Sequence, residues 1–440
     1  MLYHRAPRPT RALMAPEPEV RRAYRLLLGL YGLLGMTVST WLARLPTVRA
    51  DLDLTTGGLG TVLLLGAVGS LLTVVMAGAV VTRWGSRRTM LTAAVIFSCG
   101  NVLLGLGPTI GQVAVLAGGV ILMSISFALG NVPMNVETVA IERRMGRTVV
   151  PHFHAAFSLG SVLGSGIGAL CSWGGVPLVV QFTVVSLVTL VWRFLAVPGA
   201  VLPLPVRPAT PSVDRPAAPV RRGPGARAAL RAWREPRTLL IGVVVMAAAL
   251  SEGSANNWLA ISVVDGFAQR EAVAAVVFGV FVASMTVSRL VGSTVIDRFG
   301  RVAVLYTSGV ASVIGLVVFT LSPTLPFAVG GTVLWGMGAG LVVPIGMAAV
   351  SADPLLAAGR VSVVSAFASV ASITAPPVIG LIAEVIGTRH ALLTIVVVMI
   401  VGAALSGRVR EDAPGPAPAR VPDDRDAPCA QAQILVEAQR

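Results

Sequence analysis

Four residues able to bind protons or polar ligands interrupt a run of apolar sequence: Glu252, Asn256, Asn257 and Trp258. Glu252 lies about halfway along that run, where removal from water favours the protonated form of a carboxyl group. On a helix, Glu252 and Asn256 share one face, one turn apart. This arrangement suits reversible proton binding beside amides that bind a solute. The alternative is a structural carboxyl group that is hydrogen-bonded to a neighbouring helix.

A second amide pair, Asn131 and Asn135, has the same i and i+4 spacing, with Pro133 between the two residues. Proline removes a backbone hydrogen bond and loosens the helix around it. The two amides could bind the hydroxyl groups of a polar ligand. They could equally hydrogen-bond neighbouring helices, at roughly 0.6 to 2 kcal/mol each, and the sequence leaves both interpretations open.

Aromatic and basic residues near the ends of apolar segments are further candidates. Trp41 and Trp258 could form walls of a sugar or aromatic site, but an interfacial belt position is the favoured interpretation for Trp41. His154, which begins an apolar segment, could sense protons, although histidines at a helix end more often pack or cap. Arg193 and Arg289 are expected to extend toward water; an ion pair with Asp297 is the alternative for Arg289.

Membrane-spanning helices must position these residues. Of the 440 residues, 55% are hydrophobic and 12% are charged, whereas soluble domains have about 45 to 50% apolar and ~25% charged residues. Apolar runs long enough to cross a ~30 Å hydrocarbon layer recur along the chain, without the alternation of membrane β-strands. Backbone polar groups in lipid must be satisfied within their own segment, so the predicted fold class is an all-α membrane protein.

Twelve apolar segments bounded by glycine, proline or charge are predicted to be transmembrane helices, in two sets of six. The first set comprises residues 25–46, 57–81, 89–107, 110–135, 154–173 and 176–197. The second set comprises residues 238–262, 272–296, 302–322, 326–350, 360–383 and 388–406. The predicted domains are an N-terminal tail at 1–24, six-helix bundles at 25–197 and 237–406, a Pro- and Arg-rich linker at 198–236, and a disordered tail at 407–440.

The distribution of arginine predicts the orientation of these helices. Arginines are concentrated in alternate loops and in the linker, so the positive-inside rule places both termini and the linker in the cytoplasm. The net charge of +14 does not indicate nucleic-acid binding, because no continuous basic face or nucleic-acid module is recognised. Neither a phosphate-binding loop nor a metal-binding cysteine spacing is found, so no enzymatic activity, cofactor or metal is expected.

One loop in each set carries the same pattern: Thr82-Arg83-Trp84-Gly85 aligns with Asp297-Arg298-Phe299-Gly300, and Arg87 and Arg88 follow the first copy. The pattern resembles the major facilitator superfamily signature, G-x-x-x-[DE]-R-x-G-[RK]-[RK]. The resemblance implies two pseudo-symmetric six-helix bundles that rock around a central site. It also implies a conformational loop formed by Arg83, Gly85, Arg87, Arg88, Asp297, Arg298 and Gly300. The first copy has Thr82 in place of the acid, which weakens the expected latch.

Four segments resemble a narrower bacterial branch related to the fucose-proton symporters. They are Trp41-Leu-Ala-Arg-Leu-Pro46, Met134-Asn-Val-Glu137, Phe153-His-Ala-Ala-Phe-Ser-Leu-Gly160 and Glu252-Gly-Ser-Ala-Asn-Asn-Trp258. Asn131 and Asn257 stand where that branch has aspartates. The sequence therefore predicts a substrate site at Trp41, Asn131, Asn135, Glu252, Asn256, Asn257 and Trp258, with proton coupling at Glu252 and His154.

The expected function is secondary active transport of a small solute, sugar-like or another small organic molecule, across the cytoplasmic membrane. Protons, the substrate and the lipid bilayer are the expected partners, and the protein is expected to be a monomer. One alternative is an exporter of drug-like or self-made hydrophobic compounds, which the scarcity of charge favours. Another is a membrane sensor that transports nothing.

Overall fold

The computed structural model describes residues 18–147, 149–202, 231–351 and 356–406. Within these ranges the chain forms thirteen α-helices and no β-strand. The N-terminal half contains α1 (Pro18–Leu42), α2 (Leu45–Asp51), α3 (Thr56–Thr109), α4 (Val113–Met145), α5 (Val150–Trp173) and α6 (Leu178–Ala200). The C-terminal half contains α7 (Pro236–Phe267), α8 (Glu271–Phe299), α9 (Arg301–Leu321), α10 (Leu325–Val350), α11 (Ala357–Ile386), α12 (Thr388–Ala391) and α13 (Thr394–Ser406).

The all-α membrane fold is confirmed. In the described part of the chain, eleven helical segments are long and apolar enough to cross a membrane, and α3 supplies two passes because it bends at Gly85. Twelve passes result, as predicted. Helix α1 begins at Pro18 rather than at residue 25. The predictions for residues 1–17, 203–230 and 407–440, which concern the two tails and most of the linker, lie outside the described residues.

The two copies of the loop pattern share one backbone conformation. Gly85 has φ 78° and ψ 159°, and Gly300 has φ 80° and ψ 155°. Glycine adopts this region at little cost, whereas side-chain-bearing residues are strained there. Each glycine thus ends one transmembrane pass and starts the next at the same point of its half, which supports the internal repeat.

The repeat extends to the packing of the third and fourth passes of each half. A Cβ added to Gly119 of α4 would lie 2.8 Å from the Leu104 nitrogen of α3, and one on Gly331 of α10 would lie 2.6 Å from the Phe319 nitrogen of α9. These backbones touch because neither glycine has a side chain. Small residues at helix contacts replace the hydrophobic driving force that lipid does not provide.

The two ends of the bundle differ in how the halves meet. The end that carries Gly85 and Gly300 is named the motif end, and the end that carries α2 and α12 the opposite end. Around the opposite end, one hydrophobic cluster contains residues of both halves, such as Trp41 and Trp258. Toward the motif end, each half packs around a separate cluster of its own. The halves are therefore joined at the opposite end and divided toward the motif end.

Candidate functional site

An ion pair joins two helices of the C-terminal half in the middle of the bundle. The Glu252 carboxylate on α7 lies 3.2 Å from a terminal nitrogen of Arg289 on α8, and each side chain is 26% exposed. Nε of Arg289 also donates to the Gly340 carbonyl oxygen on α10, at 3.1 Å. Arg289 thus connects three helices. The expectations that Arg289 extends to water or pairs with Asp297 are wrong, because its guanidinium is held by Glu252 and Gly340.

The amides that follow Glu252 along α7 have unused hydrogen-bonding capacity. Asn256 and Asn257 are half-buried, and neither side chain takes part in the hydrogen bonds found among the described residues. Polar groups within a membrane bundle normally find a partner. Asn256 lies one turn beyond Glu252 on the same face, so an amide and an ion pair stand side by side.

The N-terminal half contributes a second polar group on α1 and α4. Nδ2 of Asn135 donates to Oδ1 of Asn131 at 2.8 Å. The Tyr31 hydroxyl donates to Oδ1 of Asn135 at 3.3 Å and lies 3.3 Å from the Thr138 hydroxyl. The amide pair therefore remains compatible with both a structural and a solute-binding role. The two amides hydrogen-bond each other and a neighbouring helix. Asn135 is nevertheless exposed and can form further hydrogen bonds.

His154 lies beside Tyr31 of the N-terminal polar group. Its ring centroid is 6.2 Å from that of Tyr31, and the charge of Arg289, in the other half, acts on it electrostatically. His154 is exposed. The two polar groups and His154 are together named the polar zone: Tyr31 and the asparagines of α4, His154, and Arg289, Glu252 and the amides of α7.

The two tryptophans lie away from this zone. Trp41 is 1% exposed and packs edge to face with Phe182, at a centroid distance of 6.1 Å. Trp41 is therefore not a belt residue, because a belt side chain faces the membrane interface. Trp258 is fully buried in the cluster shared by the halves, and its indole nitrogen has no hydrogen-bond partner. In this conformation both rings close the opposite end rather than line the polar zone.

The conformational loop residues of both copies are exposed at the motif end. This group comprises Arg83, Gly85, Arg87, Arg88, Asp297, Arg298 and Gly300. The Arg298 guanidinium lies over the ring of its neighbour Phe299, 5.5 Å from the centroid. Thr82, which replaces the acid of the first copy, donates back to the Ala79 carbonyl oxygen at 2.8 Å. The described contacts of these loops stay within their own halves.

Polar contacts between the halves lie at the opposite end, as far as the described ranges extend. Arg44 pairs with Glu271 at 3.1 Å, and both side chains are at most 10% exposed. Glu271 also accepts from the Thr47 amide at 2.9 Å, and Arg49 pairs with Asp265 at 2.6 Å. This set is named the opposite-end latch. The sequence did not predict it, since each pair joins residues more than 200 positions apart; the only signal was Arg44 in the Trp41-to-Pro46 motif.

A further pair of contacts strengthens the same closure between α3 and α11. The Thr56 hydroxyl donates to the Gly380 carbonyl oxygen at 2.8 Å, and the Gly57 amide donates to Glu384 at 3.1 Å.

Among the described residues, no group of three His, Cys, Asp or Glu side chains could hold a metal ion. The chemistry available at the site is hydrogen bonding, ion pairing and proton exchange.

Comparison with known proteins identifies the family to which this architecture belongs. The family model of the Major Facilitator Superfamily matches residues 26–357 and, in a second match, 241–437. The chain belongs to the major facilitator superfamily. It is a multi-pass membrane transporter and not an enzyme.

Individual relatives agree with this assignment. The chain is 29% identical to the uncharacterized transporter y4wD of Sinorhizobium fredii, over 80% of this chain and 88% of that protein. A bacterial homolog of the human lysosomal transporter Spinster, crystallised in an inward-facing and unoccupied conformation, aligns with a TM-score of 0.69 at 13% identity, over 89% and 97% of the two chains. The E. coli fucose:proton symporter FucP aligns with a TM-score of 0.59 at 12% identity, over 88% and 98%. At these identities the structural matches establish the major facilitator fold alone.

Proposed function

We propose that this transporter is proton-coupled and carries a small polar organic solute by alternating access. The observation that carries the proposal is the position of the Glu252 and Arg289 ion pair. The pair lies in the C-terminal half of a bundle whose two halves are latched at the opposite end and divided toward the motif end. Such a site is open to one side of a membrane and closed to the other, which alternating access requires.

The charges of the loops support a cytoplasmic location for the motif end. Arg83, Arg87, Arg88 and Arg298 are exposed there, and short basic loops are retained on the cytoplasmic side. We therefore place both termini and the 198–236 linker in the cytoplasm, with the two bundles at 25–197 and 237–406. In this arrangement the protein lies in the cytoplasmic membrane, and the conformation described is inward-open. We further propose that it acts as a monomer within the bilayer.

Glu252 is the proton carrier in this proposal. When ionised it holds Arg289, and when protonated it loses the charge that attracts the guanidinium. Arg289 is then free to change partners, for example by binding a polar group of the solute. Asn256, one helical turn beyond Glu252, offers an amide for the solute, so that proton binding and solute binding are coupled in this part of α7.

The energy available from one proton is sufficient for this cycle. At a potential of about 150 mV, one proton supplies roughly 3.5 kcal/mol, which corresponds to accumulation on the order of a few hundredfold. No ATP is needed. The unused amides of Asn256 and Asn257 and the exposed Asn135 suit a solute with several hydroxyl or carbonyl groups, such as a sugar-like molecule.

An exporter of hydrophobic compounds is the second candidate for the direction and the substrate. Large apolar side chains, such as Val136 and Val139, are exposed on α4 beside Asn135, and an apolar solute would contact them. An exporter predicts resistance when the protein is overproduced, whereas an importer of polar solutes predicts protection by hydroxyl-rich ligands. A non-transporting sensor predicts no flux at all.

The experiment is flux in proteoliposomes under an imposed pH gradient, with solutes first selected by thermal shift of the purified protein. Wild-type protein should move a solute only when the gradient is present, and Glu252→Gln should lose the gradient dependence while still binding the solute. Glu19→Gln, at the exposed start of α1, is the matched control, and its flux should still depend on the pH gradient. Gradient-driven flux that survives Glu252→Gln would disprove the role of Glu252.

A further inference from the structure

Arg193 is a buried cation for which the described residues provide no counter-charge. It lies on α6, seven residues before the helix end at Ala200, and it is 9% exposed. Its guanidinium lies 4.7 Å from the centroid of the Phe97 ring. Among the described residues it has no ion pair and no hydrogen bond. The expectation that Arg193 extends to water is wrong.

The contact with Phe97 does not offset the cost of burying this charge. A cation over an aromatic ring gains less free energy, even when desolvated, than an unpaired buried ion loses on leaving water. The nearest buried acid along α4 is Glu137, but its carboxylate accepts from the Leu202 amide at 3.2 Å. The described residues therefore leave the Arg193 guanidinium without an acid at ion-pair distance.

A small cavity lies next to the guanidinium. It has a volume of ≈ 30 Å³ and is lined by Arg193, Phe97, Ser126, Gly130 and other residues of α1, α3, α4 and α6. The lining contains no carboxylate. A cavity needs roughly 10 to 15 Å³ to hold one water molecule, so this one has room for a water molecule or a halide ion.

The internal repeat supplies a built-in comparison. The C-terminal half has a cavity of the same volume, ≈ 30 Å³, in the equivalent place between α7, α9, α10 and α13. Its lining is apolar apart from three serines, Ser251, Ser312 and Ser406, and it includes no charged side chain. The cavity is therefore a feature of the repeated packing, whereas the cation is specific to the N-terminal half.

We infer that the Arg193 cavity binds a small monovalent anion of halide size, with chloride as the natural occupant. The guanidinium supplies the charge. The Ser126 hydroxyl, which now donates to the Met123 carbonyl oxygen at 2.9 Å, can rotate to donate to the anion. The anion acts as a fixed counter-ion that ties α6 to α1, α3 and α4. This site lies within one half, away from the Glu252 pair, and does not depend on the proposed transport function.

The test compares the thermal unfolding of purified protein in sodium chloride, sodium bromide and sodium gluconate at equal ionic strength. Chloride and bromide should raise the Tm in a saturable way, by roughly 2 to 5 °C, whereas gluconate, which does not fit the cavity, should not. Arg193→Gln should abolish the difference between halide and gluconate. Arg270→Gln, which removes an exposed arginine at the start of α8, should retain it.

Direct binding keeps the inference testable if Arg193→Gln does not fold. The chloride-35 NMR line of a sodium chloride solution should broaden when wild-type protein is added, and excess bromide should reverse the broadening. Equal Tm values of wild-type protein in chloride and gluconate, or a halide effect that persists in Arg193→Gln, would show that the cavity holds only water. Absence of line broadening would overturn the inference as well.

Discussion

The guanidinium of Arg289 lies 3.2 Å from the carboxylate of Glu252, and the same side chain donates to the Gly340 carbonyl oxygen at 3.1 Å. One arginine therefore connects α7, α8 and α10. Because both partners of the ion pair are about one quarter exposed, the pair is accessible to a proton and a solute. In the proton-coupled cycle proposed above, protonation of Glu252 changes the contacts between these helices.

The losses of stability from replacing the two members of this pair should not be additive. Glu252→Gln leaves the Arg289 charge without its acid, and Arg289→Gln leaves the carboxylate without its cation. We expect each single change to lower the free energy of unfolding by roughly 1 to 3 kcal/mol, after allowance for partial exposure. The double variant should be more stable than the sum of the two losses. Thermal unfolding of the four proteins measures this, and strict additivity would contradict direct pairing.

Weakening the opposite-end latch should open that end. Glu271→Gln removes the ion pair with Arg44 and weakens the bond from the Thr47 amide. A loss of about 1 to 3 kcal/mol would raise the open population roughly 5- to 150-fold. The probe is Ser165→Cys in a cysteine-free background, since Ser165 is 1% exposed and packs against Gly279 of the other half.

The Ser165→Cys thiol should react faster with a maleimide when Glu271→Gln is also present. Glu142→Gln is the control, because the Glu142 carboxylate accepts from the amides of Val149 and Val150 within its own half. It should leave the rate unchanged. An unchanged rate with Glu271→Gln would mean that the latch does not hold the halves together.

Tyr31 should contribute to solute affinity through its hydroxyl group. Tyr31→Phe removes the contacts with Asn135 and Thr138, at about 1 kcal/mol, so the KM of the transported solute should rise roughly fivefold. Tyr306→Phe, on the exposed face of α9, is the matched control. The KM is measured in proteoliposomes for wild type and both variants. A KM of Tyr31→Phe equal to that of wild type would exclude Tyr31 from the solute site.

Glu235 should make the motif end of the C-terminal half sensitive to acid. It precedes α7, and hydrogen bonds from Arg360 and Thr238 lower its pKa from the usual 4.5. Because the folded pKa is lower than the unfolded one, the stabilisation is present above pH 4.5 and is lost as the pH falls through the folded value. About one third of the side chain is exposed, so the contribution is roughly 1 kcal/mol or less.

Thermal unfolding between pH 3 and pH 7 measures this contribution. Glu235→Gln should unfold at a lower temperature than wild type at pH 7 and should approach wild type at pH 3. Glu19→Gln should match wild type throughout. A difference between Glu235→Gln and wild type that does not change with pH would exclude titration of Glu235 as its cause.

The fold was predictable from the sequence because its signals are local. Apolar runs of membrane-spanning length define the passes, and Gly85 and Gly300 mark equivalent turns with almost the same dihedral angles. The helix ends were less predictable: α1 extends back to Pro18, since arginines near a membrane interface do not interrupt a helix.

The site was only partly predictable because its contacts are between helices. Local spacing suggested Asp297 as a partner of Arg289, but the actual partner, Glu252, lies 37 positions away. Tyr31 is one of several hydroxyl-bearing residues of α1, and its spacing gave no signal of a site. Trp41 lies near a segment end, as belt residues do, yet tertiary packing against Phe182 buries it. The roles of Asn131, Asn135, Asn256 and Asn257 in binding stay predictions.

The central claim, that the polar zone is reachable from one side at a time, is tested most directly by thiol labelling of Asn256→Cys. A membrane-impermeant maleimide is applied to inside-out vesicles and to right-side-out cells, in a background without Cys99, Cys171 and Cys429. We expect at least about tenfold faster labelling from the cytoplasmic side, and faster external labelling when Glu271→Gln weakens the latch. Equal labelling rates from both sides would contradict access from one side at a time. An external labelling rate that Glu271→Gln does not change would contradict it as well.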